Sequence, residues 1–249
     1  HGAVVEEEGG LSKIGNYIMN EKAKKPDETL IISSGDMFQG SAISNMTQGG
    51  VVVDVMNYIG FDAMALGNHE FDWGIEVIKN YNNKTPEVKS NFPIICCNVF
   101  EKSTGNRVDW CEPYAIVEKG GLKIGIIGAI GSELESSIAT GMVAPYEFKD
   151  AIPYIKQYAS ELRLQKGCDL VVLSIHNNTT GINQVIADLT GVYQIDAVFN
   201  GHTHSTYAGE TMGEDGIILP YIQSGSNGAN IGKITLTYNK VTKTITKSK

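Results

Sequence analysis

Four apolar runs in this chain each end in a residue that can bind a metal or move a proton, and this pattern constrains the fold more than any other feature. Thr29-Leu-Ile-Ile-Ser-Ser-Gly35 delivers Asp36. Ala63-Met-Ala-Leu66 breaks at Gly67 and delivers Asn68, His69 and Asp72. Asp169-Leu-Val-Val-Leu-Ser-Ile175 delivers His176, and Ile195-Asp-Ala-Val-Phe-Asn-Gly201 delivers His202 and His204. Short runs of this kind, closed by glycine, read as buried strands. Helix-period segments separate them, clearest at 150–164, where Asp150 precedes an amphipathic stretch that ends at Gly167. Strands that alternate with helices form parallel sheets, and such sheets present reactive groups on the loops at their carboxyl ends.

The chain has only five histidines: His1, His69, His176, His202 and His204. Surface histidines scattered by chance would not all fall at strand exits. Asp, Asn and several His at one end of parallel strands describe a mixed oxygen and nitrogen metal site. Asn68 offers a neutral oxygen, His69 a nitrogen that gains or loses a proton near neutral pH, and Asp72 a carboxylate able to hold that imidazole in one orientation. A carboxylate has two oxygens and a full charge, so Asp36 is the residue suited to bridge two metals.

In order, His1-Gly2, Gly35-Asp36, Gly67-Asn-His-Glu-Phe-Asp72, His176 and Gly201-His-Thr-His204 resemble the motifs of the calcineurin-like metallophosphoesterase superfamily, and within it the catalytic domain of the 5′-nucleotidase family. The resemblance covers essentially the whole chain. It implies a four-layer α/β/β/α sandwich of two mixed sheets. It also implies two divalent metal ions (Zn, Mn, Fe or Co), with His1 and His204 on one and Asn68, His176 and His202 on the other. His69 then faces the phosphate rather than a metal, with Asp72 orienting it. The implied activity is hydrolysis of phosphate monoesters, nucleoside 5′-monophosphates or related nucleotides foremost. A phosphodiesterase acting on cyclic nucleotides or nucleotide sugars is one alternative, and a metal-dead binding domain is another. The family's first motif is Asp-x-His, whereas this sequence opens at the His. The expectation is a single catalytic domain over 1–249 that lacks its first strand and any C-terminal substrate-specificity domain.

Composition narrows the partners. At 249 residues the chain suits one large α/β domain. A net charge of −8, with Arg107 and Arg163 the only arginines, gives no basic stripe for nucleic acid. No run of about 18 apolar residues is present to span a membrane. Family resemblance implies an extracytoplasmic setting: secreted, periplasmic or cell-surface. The cysteines, Cys96, Cys97, Cys111 and Cys168, match no zinc-knuckle spacing. Cys96 and Cys97 fall in a predicted strand over 92–99 and should point to opposite faces, and a disulfide at Cys111 stays open. Gly125, Gly128 and Gly131 follow a Gly-x-x-Gly-x-x-Gly spacing and do not form a dinucleotide-binding loop. The first helix is expected to bury Leu11, Ile14, Tyr17 and Ile18. Aromatic content is 8%, with no aromatic cluster evident near the motifs, so substrate choice within the chain is expected to be loose.

Overall fold

A computed structural model describes residues 10–82 and 89–248. The helices are α1 (Gly10–Lys24), α2 (Ala42–Met46), α3 (Gly50–Ile59), α4 (Ile75–Asn82), α5 (Thr140–Val143), α6 (Ala151–Leu164) and α7 (Ile182–Ala187). The strands are β1 (Ile32–Ser33), β2 (Ala63–Ala65), β3 (Ile94–Ile95), β4 (Val99–Glu101), β5 (Tyr114–Lys119), β6 (Leu122–Ile130) and β7 (Tyr146–Phe148). They continue with β8 (Leu170–Asn177), β9 (Ala197–His202), β10 (Thr206–Met212), β11 (Ile218–Ser224), β12 (Leu236–Asn239) and β13 (Thr244–Ser248).

Two sheets form the centre. One is parallel, in the order β1-β2-β3; the other runs β10-β11-β9-β8-β6-β5. In the larger sheet β6, β8, β9 and β11 are mutually parallel, while β5 and β10 pair antiparallel at the edges.

The period-2 alternation of side chains sorts residues into three apolar layers. Met64 and Ile94 face α3 and α4, packing with Val52, Met56 and Ile78. Their neighbours Ala63 and Ile95 turn the other way, against Ile126, Leu170, Val172 and Ala197 of the large sheet. On the far side, Ile127, Val171, Leu173 and Val198 meet Ile155, Ala159 and Leu162 of α6. Helices, small sheet, large sheet and helices thus stack as the expected four layers. The helices begin and end on local chemistry: the Asp150 carboxylate accepts the Ile152 N–H at 3.1 Å to cap α6, and Gly60, left-handed at φ 81°, closes α3.

Several details depart from the sequence reading. The strand through the paired cysteines stops at Ile95. Beyond it the chain leaves the small sheet, and the N–H of Cys97 donates to the carbonyl of Gly128 in the large one (2.9 Å). The crossing is so close that a Cβ on Gly128 would lie 2.3 Å from the Ile95 carbonyl oxygen. Packing between sheets, not phosphate binding, is what that glycine serves. Cys96 and Cys97 do point into different layers, and all four cysteines are free and buried. Tyr17 is half exposed rather than buried, because α1 meets α3 through Leu11 and the bare backbone of Gly15, whose missing Cβ leaves room for Ile59. Strand β10 was not expected; it pairs along its whole length with β11 and has one exposed face. Glu6-Glu7-Glu8-Gly9-Gly10, a stretch whose sequence predicts a solvated loop, lies outside the described residues except for Gly10, which is buried at the start of α1. No helix among the described residues is long and apolar enough to cross a membrane.

Candidate metal centre

The carboxyl ends of β1, β2, β8 and β9 meet at one edge, where the two sheets are stitched through a pair of serines. Ser174 Oγ donates to the Ser33 carbonyl (3.2 Å) and lies 3.1 Å from Ser34 Oγ, which in turn donates to the Phe199 carbonyl (3.1 Å). Glycines permit the approach. A Cβ on Gly67 would lie 2.3 Å from Asp36 Oδ1, and one on Gly201 would lie 2.4 Å from the Ser34 carbonyl and 2.6 Å from His176 Nδ1. Any larger residue at either position would push the strand exits apart.

Four of the six residues expected to ligate metal come together here. Asp36 is 4% exposed, Asn68 3% and His176 1%. His176 Nε2 lies 3.0 Å from Asp36 Oδ2 and 3.2 Å from Asn68 Oδ1. His202 Nδ1 is 3.0 Å from the same Asn68 oxygen, and the two imidazoles meet edge to face with centroids 5.2 Å apart. The nearest ligand atoms of Asp36, His176 and His202 all fall within 4.8 Å of one another. His204 sits on the exposed loop just beyond, outside this cluster. His1 lies outside the described residues.

The backbone is forced at these positions. Asp36 (φ 57°), His202 (φ 85°) and His204 (φ 58°) all adopt the left-handed region, which Asp and His tolerate better than most residues but still at a cost of order 1–3 kcal/mol. The bend lets two histidines only two residues apart aim differently, as the Gly-His-x-His spacing requires.

The donor set suits a cation. His176 Nδ1–H donates to the Ser34 carbonyl at 2.6 Å, which fixes the tautomer and leaves the Nε2 lone pair facing two oxygen acceptors. Three electron-rich atoms at about 3 Å need a proton or a metal between them. Burial alone would raise the Asp36 carboxyl, but the hydrogen bond and charge of His176, with help from the His69 N–H, hold it at about 2. Burial works against the His176 imidazolium, yet Asp36 beside it lifts the imidazole above its ordinary range. His202 is shifted down by burial and by the neighbouring His176. Mixed oxygen and imidazole ligands of this kind suit a divalent transition metal.

His69 stands apart from the cluster. It is the second residue of a 3₁₀ turn, Asn68–Phe71, and its ring Nδ1–H donates to Asp72 Oδ2 at 2.9 Å. Its backbone N–H donates to Asp36 Oδ1, also at 2.9 Å. The imidazole is about one-third exposed, so a substrate can reach the ring from solvent.

Sequence reasoning gave Glu70 no role, and the structure gives it one. Wholly buried, its carboxylate accepts four backbone N–H groups: Asp36 (2.8 Å), Gly67 (2.7 Å), Met37 (2.7 Å) and Phe38 (3.2 Å). Burial and the Asp36 charge push this carboxyl above the ordinary range against those four bonds. The readable signal was Gly67-x-x-Glu70, the spacing of a residue that reaches back to the start of a helical turn. Asn98, near the end of the predicted strand over 92–99, is structural: its amide donates to the carbonyls of Ile130 and Lys149 and accepts the Ile130 N–H.

The expectation that no aromatic residues gather near the motifs is corrected. Tyr207 and Tyr221, from β10 and β11, pack with centroids 6.0 Å apart beside Thr203. Strand pairing across the β10–β11 hairpin joins them, which a scan for local clusters does not register.

Comparison with known proteins agrees with this geometry. Residues 1–206 match the family model described as calcineurin-like phosphoesterase. Endonuclease YhcR of Bacillus subtilis is 30% identical over 96% of this chain and 20% of its own length. A snake venom 5′-nucleotidase from Crotalus adamanteus is 29% identical over 93% of this chain and 40% of its own. Among solved structures, the 5′-nucleotidase precursor of Thermus thermophilus superposes with a TM-score of 0.82 over 97% of this chain and 48% of that one, at 22% identity. The chain therefore spans less than half the length of these relatives. Its fold, its strand-exit cluster and its match over most of its length show that it belongs to the calcineurin-like phosphoesterase family of metal-dependent phosphoric ester hydrolases.

Proposed function

We propose that this chain hydrolyses phosphate monoesters, nucleoside 5′-monophosphates or related nucleotides foremost, with two divalent metal ions. The observation that carries the reading is the convergence of Asp36, Asn68, His176 and His202 next to an imidazole that is oriented by Asp72 and left outside the cluster. Asp36, with two carboxylate oxygens, would serve both metals; Asn68, His176 and His202 would hold one, and His204 with His1 the other. Bound divalent metals would supply charge neutralisation at the phosphoryl oxygens and a nucleophile from water at neutral pH.

The protein's own groups do the rest. Ser34 holds His176 in the tautomer that presents Nε2. Glu70 fixes the backbone at Asp36 and Gly67, so the exits of β1 and β2 stay in register. His69, held by Asp72, is assigned to the ester: its Nε2 stabilises the developing charge and gives a proton to the leaving oxygen. The relatives named as 5′-nucleotidases favour a nucleotide monoester. A phosphodiester substrate is the second reading, favoured by the relative named as an endonuclease. The relative named as a cell wall protein of Listeria monocytogenes supports an extracytoplasmic setting.

The test is to load the protein with each metal in turn, count bound ions, and assay adenosine 5′-monophosphate beside bis-nitrophenyl phosphate. Two ions per chain and faster monoester turnover are expected. Faster diester turnover would reverse the substrate assignment, and one ion per chain would remove the dinuclear mechanism.

A further inference from the structure

A groove of about 450 Å³ begins where the metal cluster ends. Asn177, the residue after His176, opens it, and Thr203, between His202 and His204, forms its near wall. Asn183, Tyr207 and Tyr221 line it farther out, and none of its lining side chains is charged. A second phosphate or a carboxylate would find no cation here.

The groove is built rather than incidental. Gln223, 3% exposed, donates to Thr203 Oγ1 (2.8 Å) and accepts from the Tyr207 hydroxyl (3.2 Å), so the aromatic wall and the histidine loop share one buried amide. Tyr221 lies across Gly209, its register partner on β10: a Cβ on that glycine would sit 2.6 Å from the Tyr221 hydroxyl. The ring is seated on bare backbone, a cross-strand arrangement that fixes an aromatic face. Beneath, Asn200 donates to Asn183 Oδ1 at 3.1 Å. Although Asn200 is 6% exposed, its own Oδ1 has no partner among the described residues. A buried amide oxygen without a donor is costly, and Asn200 carries that cost behind Asn183, the groove-lining side chain that it holds.

We propose that this groove is a sugar subsite, which receives the hydroxylated ring bearing the phosphate ester. Neutral amides paired with aromatic faces suit a polyol ring: its C–H face lies on Tyr221 and Tyr207, and its hydroxyls meet Asn183 and the other uncharged polar side chains of the wall. Adjacency to the cluster means that the group received is the one bonded directly to the ester oxygen. The inference rests on the phosphoesterase reading above, and it places part of the substrate choice in this chain rather than in a further domain.

The experiment compares ribose 5-phosphate with nitrophenyl phosphate, using the metal-loaded protein and its Asn183→Ala and Tyr221→Ala variants. The ratio of kcat/KM for the sugar ester to that for the aryl ester should fall about tenfold in each variant, mostly through KM, which is the size of one lost neutral hydrogen bond or ring contact. A ratio that stays within about twofold of wild type in both variants overturns the proposal. In parallel, binding of ribose 5-phosphate and of inorganic phosphate is measured by calorimetry. Wild type should bind the sugar ester more tightly, and Asn183→Ala should erase the difference; equal binding by wild type overturns the subsite. If wild type turns over neither ester, the phosphoesterase reading fails while calorimetry still decides the groove. Thermal melts identify a variant that fails to fold, and Tyr221→Phe, which keeps the ring, should retain most of the ratio.

Discussion

Glu70 Oε2 accepts the backbone N–H of Asp36 at 2.8 Å and that of Gly67 at 2.7 Å, so one buried carboxylate ties the exit of β1 to the exit of β2. A neutral isostere breaks this relationship. In Glu70→Gln, one face of the side chain becomes a donor aimed at N–H groups that need an acceptor. Each buried N–H left unsatisfied costs about 1–3 kcal/mol. The melting temperature should fall, and metal affinity should drop about 10–100-fold, as for other groups that orient ligands without touching the metal. Calorimetric metal titration alongside thermal melts checks both; unchanged affinity would leave Glu70 a stability residue alone.

Asp36 is the sole carboxylate in the cluster among the described residues, and its charge faces His176. Asp36→Asn should lose bound metal and phosphatase activity together. Metal content by mass spectrometry and turnover are the measurements. Wild-type values for both would remove Asp36 from the site.

Much of this centre was legible in the sequence because its ligands stand at the ends of apolar runs, where period and punctuation are strongest. The strand exits at Asp36, Asn68, His176 and His202 needed only that pattern. Three things did not show. Left-handed backbone at Asp36, His202 and His204 is a property of the packed loops, since only glycine advertises a positive φ. The role of Glu70 depends on four N–H groups from two separate segments. Tyr207 and Tyr221 are joined by a hairpin whose first strand alternates polar and small residues too weakly to be read as buried.

The opposite ends of the strands carry stability rather than chemistry. Arg163 on α6 donates to Asp196 Oδ2 at 2.7 Å, and the same oxygen accepts the Val171 N–H. Asp196 is 5% exposed. Removing the guanidinium in Arg163→Ala leaves that carboxyl buried without its cation, which costs about 3–5 kcal/mol. Denaturant unfolding should show the loss, while kcat of the folded fraction stays near wild type, because the pair lies at the far end of the sheet from the metal cluster.

The thiols should be silent in the native state. Burial pushes Cys96 up to about 12 and Cys97 and Cys111 well above the ordinary thiol range. At pH 8 a thiol at about 12 is thiolate in roughly one part in 10⁴, and only the thiolate attacks. Ellman's reagent should therefore label these three only as fast as the protein unfolds. Cys168, at 7% exposure and near the surface end of α6, should react first. Rapid labelling of two or more thiols in the folded protein would contradict the burial described above.

The sharpest test separates His69 from the other histidines. His176 and His202 share their ring nitrogens with Asp36 and Asn68, so replacing either should lower metal affinity, and added metal should partly restore the rate. His69 lies outside that cluster, with Nδ1 engaged by Asp72 and the ring about one-third exposed toward solvent. His69→Asn should leave metal content near normal and cut turnover by about 10²–10⁴. The loss lies in the transition state, so kcat and kcat/KM should fall together. If His69 protonates the leaving oxygen, the deficit shrinks for nitrophenyl phosphate, whose leaving group needs little help, and stays large for a nucleoside monophosphate. Asp72→Asn should give a smaller defect of the same kind, because it removes only the group that orients the ring. Metal loss in His69→Asn would make this residue a ligand. An equal deficit for good and poor leaving groups would make it a stabiliser of developing charge and not an acid.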